Sequence, residues 1–378
     1  MIKRAFGRPP KHTAKTGDSL PSRIAAVLRD QLEKGDYKAG DRFPSQNELA
    51  KQFRTSTVTS REALAQLVQE GLLEKRFGSG TYVLDPNANR HVAVLMELDI
   101  GHPRTSFFFT RLAQSVRLEL EKANLKVRLY TGHTAPGAEF KGLTCPDFQE
   151  DIHANRISGV IAIALPSFTE WAHSLVERNI PLVGGDAYGT IIDHPGMIRA
   201  GVRRLVEDGR KRLALIGSGG SAMTALFRDT LKEHGLESDA AWVPETGGQP
   251  ASLGLGWRLF RDVWSARPQK PDGLLVMDDM IFQDAAMAIL EADIRVPADL
   301  VVVTESNRGH AMHCPFPAIR LENDPDAFAK VYAGLMVDLL RKEAIAEAQV
   351  VMPFRVVEPD AAGESAGREA PAGVQCAM

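Results

Sequence analysis

Between Ser45 and Ser79 the sequence sets out the side chains that suit a polyanion. Ser45, Gln46 and Asn47 stand at the start of one helical stretch. Ser56, Thr57 and Thr59 open a second, with Arg61 just beyond them. Lys75, Arg76 and Ser79 follow around a hairpin. A helix N-terminus offers free N–H groups and a positive dipole end to phosphate. An arginine near that end reaches a phosphate or a guanine edge, and an asparagine can read adenine. Hairpin cations suit phosphates, which position a protein without reading sequence. The charge balance agrees: residues 1–90 hold 16 Lys/Arg against 10 Asp/Glu, and the remainder holds 29 against 38. A basic first quarter on an acidic body suggests that one end meets a polyanion.

The elements that must position these groups are legible. A helix from Pro21 to Lys34 carries Ile24, Leu28 and Leu32 on one face. Ser45 and Glu48 have capping-box spacing, so a short helix starts at Ser45 and ends near Phe53. Ser56 caps the next, with Ala63, Leu64, Leu67 and Val68 facing inward. Two helices joined by so short a turn form a helix-turn-helix. Leu72–Arg76 and Thr81–Leu84 read as strands around Phe77-Gly-Ser-Gly80, whose glycines permit the tight turn of a wing.

This stretch resembles the GntR (gluconate-repressor) winged-helix family. The shared pieces are Gly40-Asp-Arg-Phe-Pro-Ser45, Glu48-Leu-Ala50, Arg61-Glu-Ala-Leu64, and Glu70-Gly-Leu72 through Gly78-Ser-Gly-Thr-Tyr-Val83. The resemblance implies that the helix opening at Ser56 enters the major groove. It also implies that the wing touches the adjacent minor groove or backbone. The family often has arginine where Asn47 and Thr57 stand, so its base preferences do not carry over. Gly7-Arg-Pro9, a fragment of a minor-groove peptide motif, reads more readily as part of a solvated basic tail.

From His91 to Glu358 short apolar runs alternate with amphipathic helical stretches. The runs include Val92–Met96, Lys126–Tyr130, Gly159–Ala164, Pro181–Val183, Arg212–Ile216, Gly273–Met277 and Leu300–Val303. Continuous apolar runs suit parallel strands buried on both faces. The alternation predicts a doubly wound α/β fold, and its length suggests two lobes. The expected organisation is a basic tail (1–18), a winged helix-turn-helix (19–84), a linker (85–90), the α/β body (91–358) and a second unstructured tail (359–378).

The body resembles the ligand-binding domain of the LacI (lac-repressor) family and the sugar-binding periplasmic proteins. The shared pieces are Phe107-Phe108, Asp193 upstream of Gly209, Phe227–Gly235, Pro271-Asp-Gly273 with Asp278-Asp279, and Val296–Leu300. A GntR head on such a body is typified by the arabinose repressor subgroup. In α/β sheets ligands sit beyond the carboxyl ends of the strands. The resemblance places Phe107, Phe108, Asp193, Asp279 and a Glu305-Ser306 loop near a cleft between two lobes. A sugar needs carboxylates for its hydroxyls and an aromatic face for its C–H surface; Asp279 is the best single contact. At least one phenylalanine of Phe107–Phe109 reads as core, and Asp193 reads as well as a helix cap. The family often has a ligand-gripping arginine where Met223 stands.

Other chemistries rank lower. Gly217-Ser-Gly-Gly-Ser-Ala222 with Asp239 downstream fits a dinucleotide fingerprint, but it lies in mid-domain. His310, His313 and Cys314 lack a fourth ligand for a metal. The cysteines, Cys145, Cys314 and Cys376, form no C-x-x-C pair. A pyridoxal-phosphate aminotransferase-like enzyme fused to a winged helix lacks a well-placed Schiff-base lysine. No cofactor is expected, and neither a signal peptide nor a membrane span is read. The expectation is a cytoplasmic homodimeric transcription regulator, a repressor by resemblance. It would bind a palindromic double-stranded DNA operator and respond to a small carbohydrate effector.

Overall fold

The computed structural model describes residues 19–84, 90–165, 170–185, 188–246 and 253–359. The expected basic tail, nearly all of the linker and all but the first residue of the C-terminal tail lie outside these. Contacts divide the chain into two compact units, residues 1–91 with 146–158, and residues 92–145 with 159–378.

In the first unit, α1 (Leu20–Glu33) is capped by Ser19 and carries Pro21 in its first turn, where a missing N–H costs nothing. A two-residue strand β1 (Arg42–Phe43) precedes α2 (Gln46–Phe53) and α3 (Thr57–Gln69). The wing is the hairpin of β2 (Leu73–Arg76) and β3 (Gly80–Val83), and β1 joins it in the order β1-β3-β2. Leu28, Leu49, Leu67 and Leu73 meet in a fully buried core. The buried stripe of α3 runs Ser60, Ala63, Leu64 and Leu67. Val68, expected inside, lies one step past that stripe and is exposed. The Arg29 guanidinium grips both oxygens of Glu70, fastening α1 to the end of α3.

The body begins with β4 (His91–Leu98), α4 (Phe107–Lys122) and β5 (Val127–Thr134). Next comes α5 (Pro146–His153), which belongs to the first unit. β6 (Ile157–Ile163), α6 (Glu170–Glu177) and β7 (Leu182–Val183) complete a sheet of order β5-β4-β6-β7. Then follow β8 (Gly189–Ile192), α7 (His194–Glu207), β9 (Leu213–Gly217) and α8 (Ser221–Glu233). They lead to α9 (Leu255–Ser265), β10 (Gly273–Met277), α10 (Asp279–Glu291), β11 (Val301–Asn307) and β12 (Ile319–Asn323). The chain ends through α11 (Pro325–Arg341), β13 (Gln349–Met352) and β14 (Arg355–Val357).

Two lobes result. The first packs α4 and α11 on the β4 sheet around Val94, Met96, Val116 and Phe328. The second is a sheet of order β14-β12-β11-β10-β9, parallel except for its edge strand β14. Every residue of β9 and β10 is buried, because helices cover both faces. Gly256 lets α9 lie against α10, since a Cβ there would sit 2.0 Å from the Ile281 carbonyl oxygen. The chain passes between the lobes at 192–194, 323–325 and 352–355. The parallel pair β8–β13 and the antiparallel pair β12–β14 keep these crossings side by side.

One expectation needs correction. The Glu305-Ser306 loop is part of strand β11, which continues from Val301 through Asn307 because β12 pairs with it as far as Asn307↔Asn323.

Candidate nucleic-acid interface and candidate ligand cleft

In the head, the short polar residues divide between capping and exposure. Ser45 N–H donates to Glu48 Oε2 (2.7 Å), and Glu48 N–H donates to Ser45 Oγ (3.3 Å), closing a capping box. The Ser45 N–H holds the Glu48 carboxyl below its usual range. Ser56 Oγ accepts from the Thr59 N–H at 3.1 Å and lies 2.8 Å from Thr59 Oγ1. These hydroxyls fix the start of α3. Gln46, Asn47 and Thr57 are exposed, and their side chains make no hydrogen bond among the described residues. Arg61 stands one turn from Thr57, exposed and in no ion pair among the described residues.

On the wing, Lys75 is likewise exposed and in no ion pair among the described residues. Arg76 is partly engaged, 3.0 Å from Glu74 and with its guanidinium 4.6 Å above the Tyr82 ring. Ser79 Oγ lies 2.7 Å from the same tyrosine's hydroxyl, so Tyr82 stiffens the tip from below. Phe77 at the tip is fully exposed (106%). Sequence reasoning treated it as a turn residue. The signal was its type: an aromatic in a glycine turn has nothing to pack on.

In the body, polar residues converge at the carboxyl ends of β10, β11 and β12. Asp278 caps α10, accepting from the N–H groups of Met280 (2.9 Å) and Ile281 (3.0 Å), and from the Ser218 hydroxyl (3.1 Å). Burial pushes its carboxyl up. Asp279 is buried; its Oδ2 accepts from Asn307 Nδ2 at 2.9 Å and lies 3.1 Å from His310 Nδ1. Glu305 accepts from Asn323 Nδ2 at 3.0 Å. It keeps a partly open surface, yet desolvation and the charges of Asp278 and Asp279 push its carboxyl up to about 8. Asn307 Oδ1, Asn323 Oδ1 and Ser306 Oγ are buried without hydrogen-bond partners among the described residues.

The first lobe contributes Phe107, whose ring stacks on His310 with centroids 4.7 Å apart. Phe108, the next residue, is turned about 100° around the helix and is buried against Phe328. It belongs to the core, which corrects its expected place in the cleft. Asp193 caps α7, accepting from the Gly196 N–H at 2.8 Å, and is hydrogen-bonded to none of the cleft residues. Met223 sits in the first turn of α8 with its thioether over Gly217 and Gly219. Asp239 is occupied by the Ala241 N–H and Arg267, away from any dinucleotide role. Among the described residues no group of three or more His, Cys, Asp or Glu is arranged to hold a metal ion. Asn307 and Asn323 escaped the sequence reading, because strand register brings them beside Asp279 and Glu305, and His310, read there only as a candidate metal ligand, reaches Asp279 from the loop after β11.

Comparisons with known proteins match both parts. Residues 20–83 match the bacterial regulatory proteins of the gntR family, and residues 202–360 match the periplasmic binding protein-like domain. The Escherichia coli mannosyl-D-glycerate transport/metabolism system repressor MngR is 40% identical over 80 residues, 21% of this chain and 33% of that protein. The Escherichia coli Uxu operon transcriptional regulator is 37% identical over 68 residues, 18% of this chain and 26% of that protein. The chain thus spans about a third or less of the length of these relatives. Among solved structures, the transcriptional regulator CelR–cellobiose complex superposes with a TM-score of 0.57 at 16% identity, over 91% of this chain and 99% of that one. The transcription regulator CcpA of Lactococcus lactis gives 0.56 at 16% identity, over 71% and 98%. At such identities the structures speak to the fold; these relatives and neighbours are named as transcription regulators and not as enzymes. Residues 20–83 thus match the bacterial regulatory proteins of the gntR family, residues 202–360 match the periplasmic binding protein-like domain, and the body shares its fold with solved structures titled as transcription regulators.

Proposed function

We propose that this chain is a DNA-binding transcription regulator, a repressor, whose grip on its operator is set by a small carbohydrate bound between the two lobes of the body. The observation that carries this reading is the outward face of α3. Thr57 and Arg61 stand there exposed and unpaired, on a helix whose N-terminus is held by Ser56 and Thr59. Free N–H groups and a cation at that end suit a phosphate and a base edge. Gln46, Asn47, Lys75, Arg76 and Ser79 extend the same surface, with Ser45 shaping it from the α2 cap. The match to the gntR family points the same way.

The carbohydrate rests on the cleft's acceptors and on two names: MngR is a repressor of a mannosyl-D-glycerate system, and CelR is complexed with cellobiose. Phe107, Asp279, Glu305 and Met223 would meet it, with Asp193 at most supporting the second lobe. A homodimer on a two-fold symmetric operator fits paired winged helices. The exposed Leu118, Leu129, Met287 and Leu290 offer apolar surface for a second copy. No helix among the described residues is long and apolar enough to cross a membrane, and a regulator working on DNA works in the cytoplasm.

Selection of bound fragments from random double-stranded DNA with the full chain, followed by titration against salt, tests this. The expected result is an inverted-repeat site whose affinity falls steeply with salt. No enrichment at low ionic strength, or binding that ignores salt, would refute it.

A further inference from the structure

We propose that the effector carries a protonated amine, an amino sugar in class, seated against the wall formed by Asp278, Asp279 and Glu305. The inference rests on the reading of the cleft as the effector site and narrows what that site accepts. Among the described residues, the carboxylates at the ends of β10 and β11 are paired with no lysine or arginine. Their polar neighbours are Ser218, Asn307, Asn323 and, beside Asp279, the imidazole of His310.

A second observation is independent of the charges. The carboxamides of Asn307 and Asn323 each turn an N–H toward a carboxylate. That leaves Oδ1 of both, on side chains more than nine-tenths buried, without a hydrogen-bond partner. Buried acceptors without donors are uncommon in folded proteins, and these sit within the same wall. The wall therefore gathers three carboxyl groups with orphaned amide acceptors and, among the described residues, no lysine or arginine paired with them. An ammonium group supplies three donors and one positive charge. A neutral sugar would bring donors without the charge, and an anionic one would add to the repulsion. Among the described residues no group of three or more His, Cys, Asp or Glu is arranged to hold a metal ion.

The rest of the cleft agrees. Phe107, once His310 moves aside, presents a ring face that attracts an ammonium or a sugar's C–H surface. Met223, with its thioether over Gly217 and Gly219, provides an apolar flank. Burial and the neighbouring charges leave the Glu305 carboxyl titrating at about 8, and an adjacent ammonium would restore its ionised form.

Calorimetric titration of the full chain with matched sets tests the proposal: glucosamine, galactosamine and mannosamine, their parent hexoses, and the corresponding uronic acids. One amine should bind at least about tenfold more tightly than its hydroxyl and carboxylate counterparts, a gap of one tenfold step in affinity. Glu305→Gln and Asp279→Asn should each reduce its binding about tenfold or more. The Glu305→Gln chain should melt no lower than the parent, which separates lost binding from lost folding. A hexose or uronate that binds as tightly as its amine overturns the proposal and leaves the cleft as the effector site. So does an amine whose binding survives both substitutions. If no member of any set binds, the cleft reading fails with it.

Discussion

The imidazole of His310 lies flat on the ring of Phe107, centroids 4.7 Å apart and planes 9° from parallel, so one side chain from each lobe meets the other across the cleft. Asp279 holds the same imidazole from behind through Nδ1 at 3.1 Å. A stack of this kind contributes about 0.5–1.5 kcal/mol. His310→Ala should therefore loosen the lobes by roughly that amount. Amide hydrogen exchange should quicken at Ser106–Phe109 and at Arg308–His313 while the cores stay protected. Unchanged exchange at both segments would mean that the stack does not hold the lobes.

Arg61→Ala should weaken binding to the operator and to unrelated duplexes alike if the guanidinium meets phosphate. The slope of affinity against salt should then shrink by roughly one unit. If it reads a guanine, the loss is about 1–3 kcal/mol at the operator alone, with specificity relaxed at one position. Fluorescence anisotropy at several salt concentrations distinguishes these, and an unaltered affinity removes Arg61 from the interface.

Phe77 touches nothing in its own domain, so Phe77→Ala should move stability by less than about 0.5 kcal/mol. Operator affinity should nevertheless fall, because an apolar tip can wedge at a base step in the minor groove. Melting curves set beside gel-shift titrations give both numbers. Equal affinities would leave the tip free of the duplex.

Stability should decline as pH rises toward 8. Glu305 titrates near 4.3 in an unfolded chain and at about 8 in the folded one. Between these values the native state binds the extra proton. Its stabilising contribution is complete below the lower value and is lost on passing the upper. The slope is at most about 1.4 kcal/mol per pH unit. Asp278 and Asp279 face Glu305, and His310 lies beyond Asp279; Asp278, also raised, adds a fall of the same sign. Glu305→Gln should flatten the decline in melting temperature between about pH 5.5 and 7.5. A slope identical to the parent's would assign it to other groups.

Gly256→Ala should cost about 1–3 kcal/mol, the usual range for overpacking. The added carbon meets the Ile281 carbonyl, a backbone atom that cannot swing away. Chemical denaturation would measure it, and a loss below about 0.5 kcal/mol would mean that α9 shifts freely.

Local signals carried much of this architecture into view. Ser45 with Glu48, and Ser56 with Thr59, announce two helix starts that the backbone then uses. The apolar runs at 213–217 and 273–277 are strands because nothing in them tolerates water. The cleft was less legible. Thr304-Glu-Ser-Asn307 has no strand-like pattern, since its polar groups answer to neighbours across the sheet and not along the chain. Phe107 and Phe108 are adjacent and identical in type, and only the rotation of α4 sends one to the cleft and the other to Phe328. Asn323 joins Glu305 through register with β12, a pairing no local sequence window contains.

The connections at 192–194, 323–325 and 352–355 run beside one another, with Met352 opposite Ile192 and Arg355 opposite Glu322. Two bodies joined by a single thread can swing and twist in any direction; joined by a row of adjacent threads they turn about one axis and resist the rest. A molecule seated between the lobes, as proposed, would therefore drive a motion with essentially a single degree of freedom. One pair of spectroscopic labels, set on opposite sides of that hinge line, would suffice to follow it.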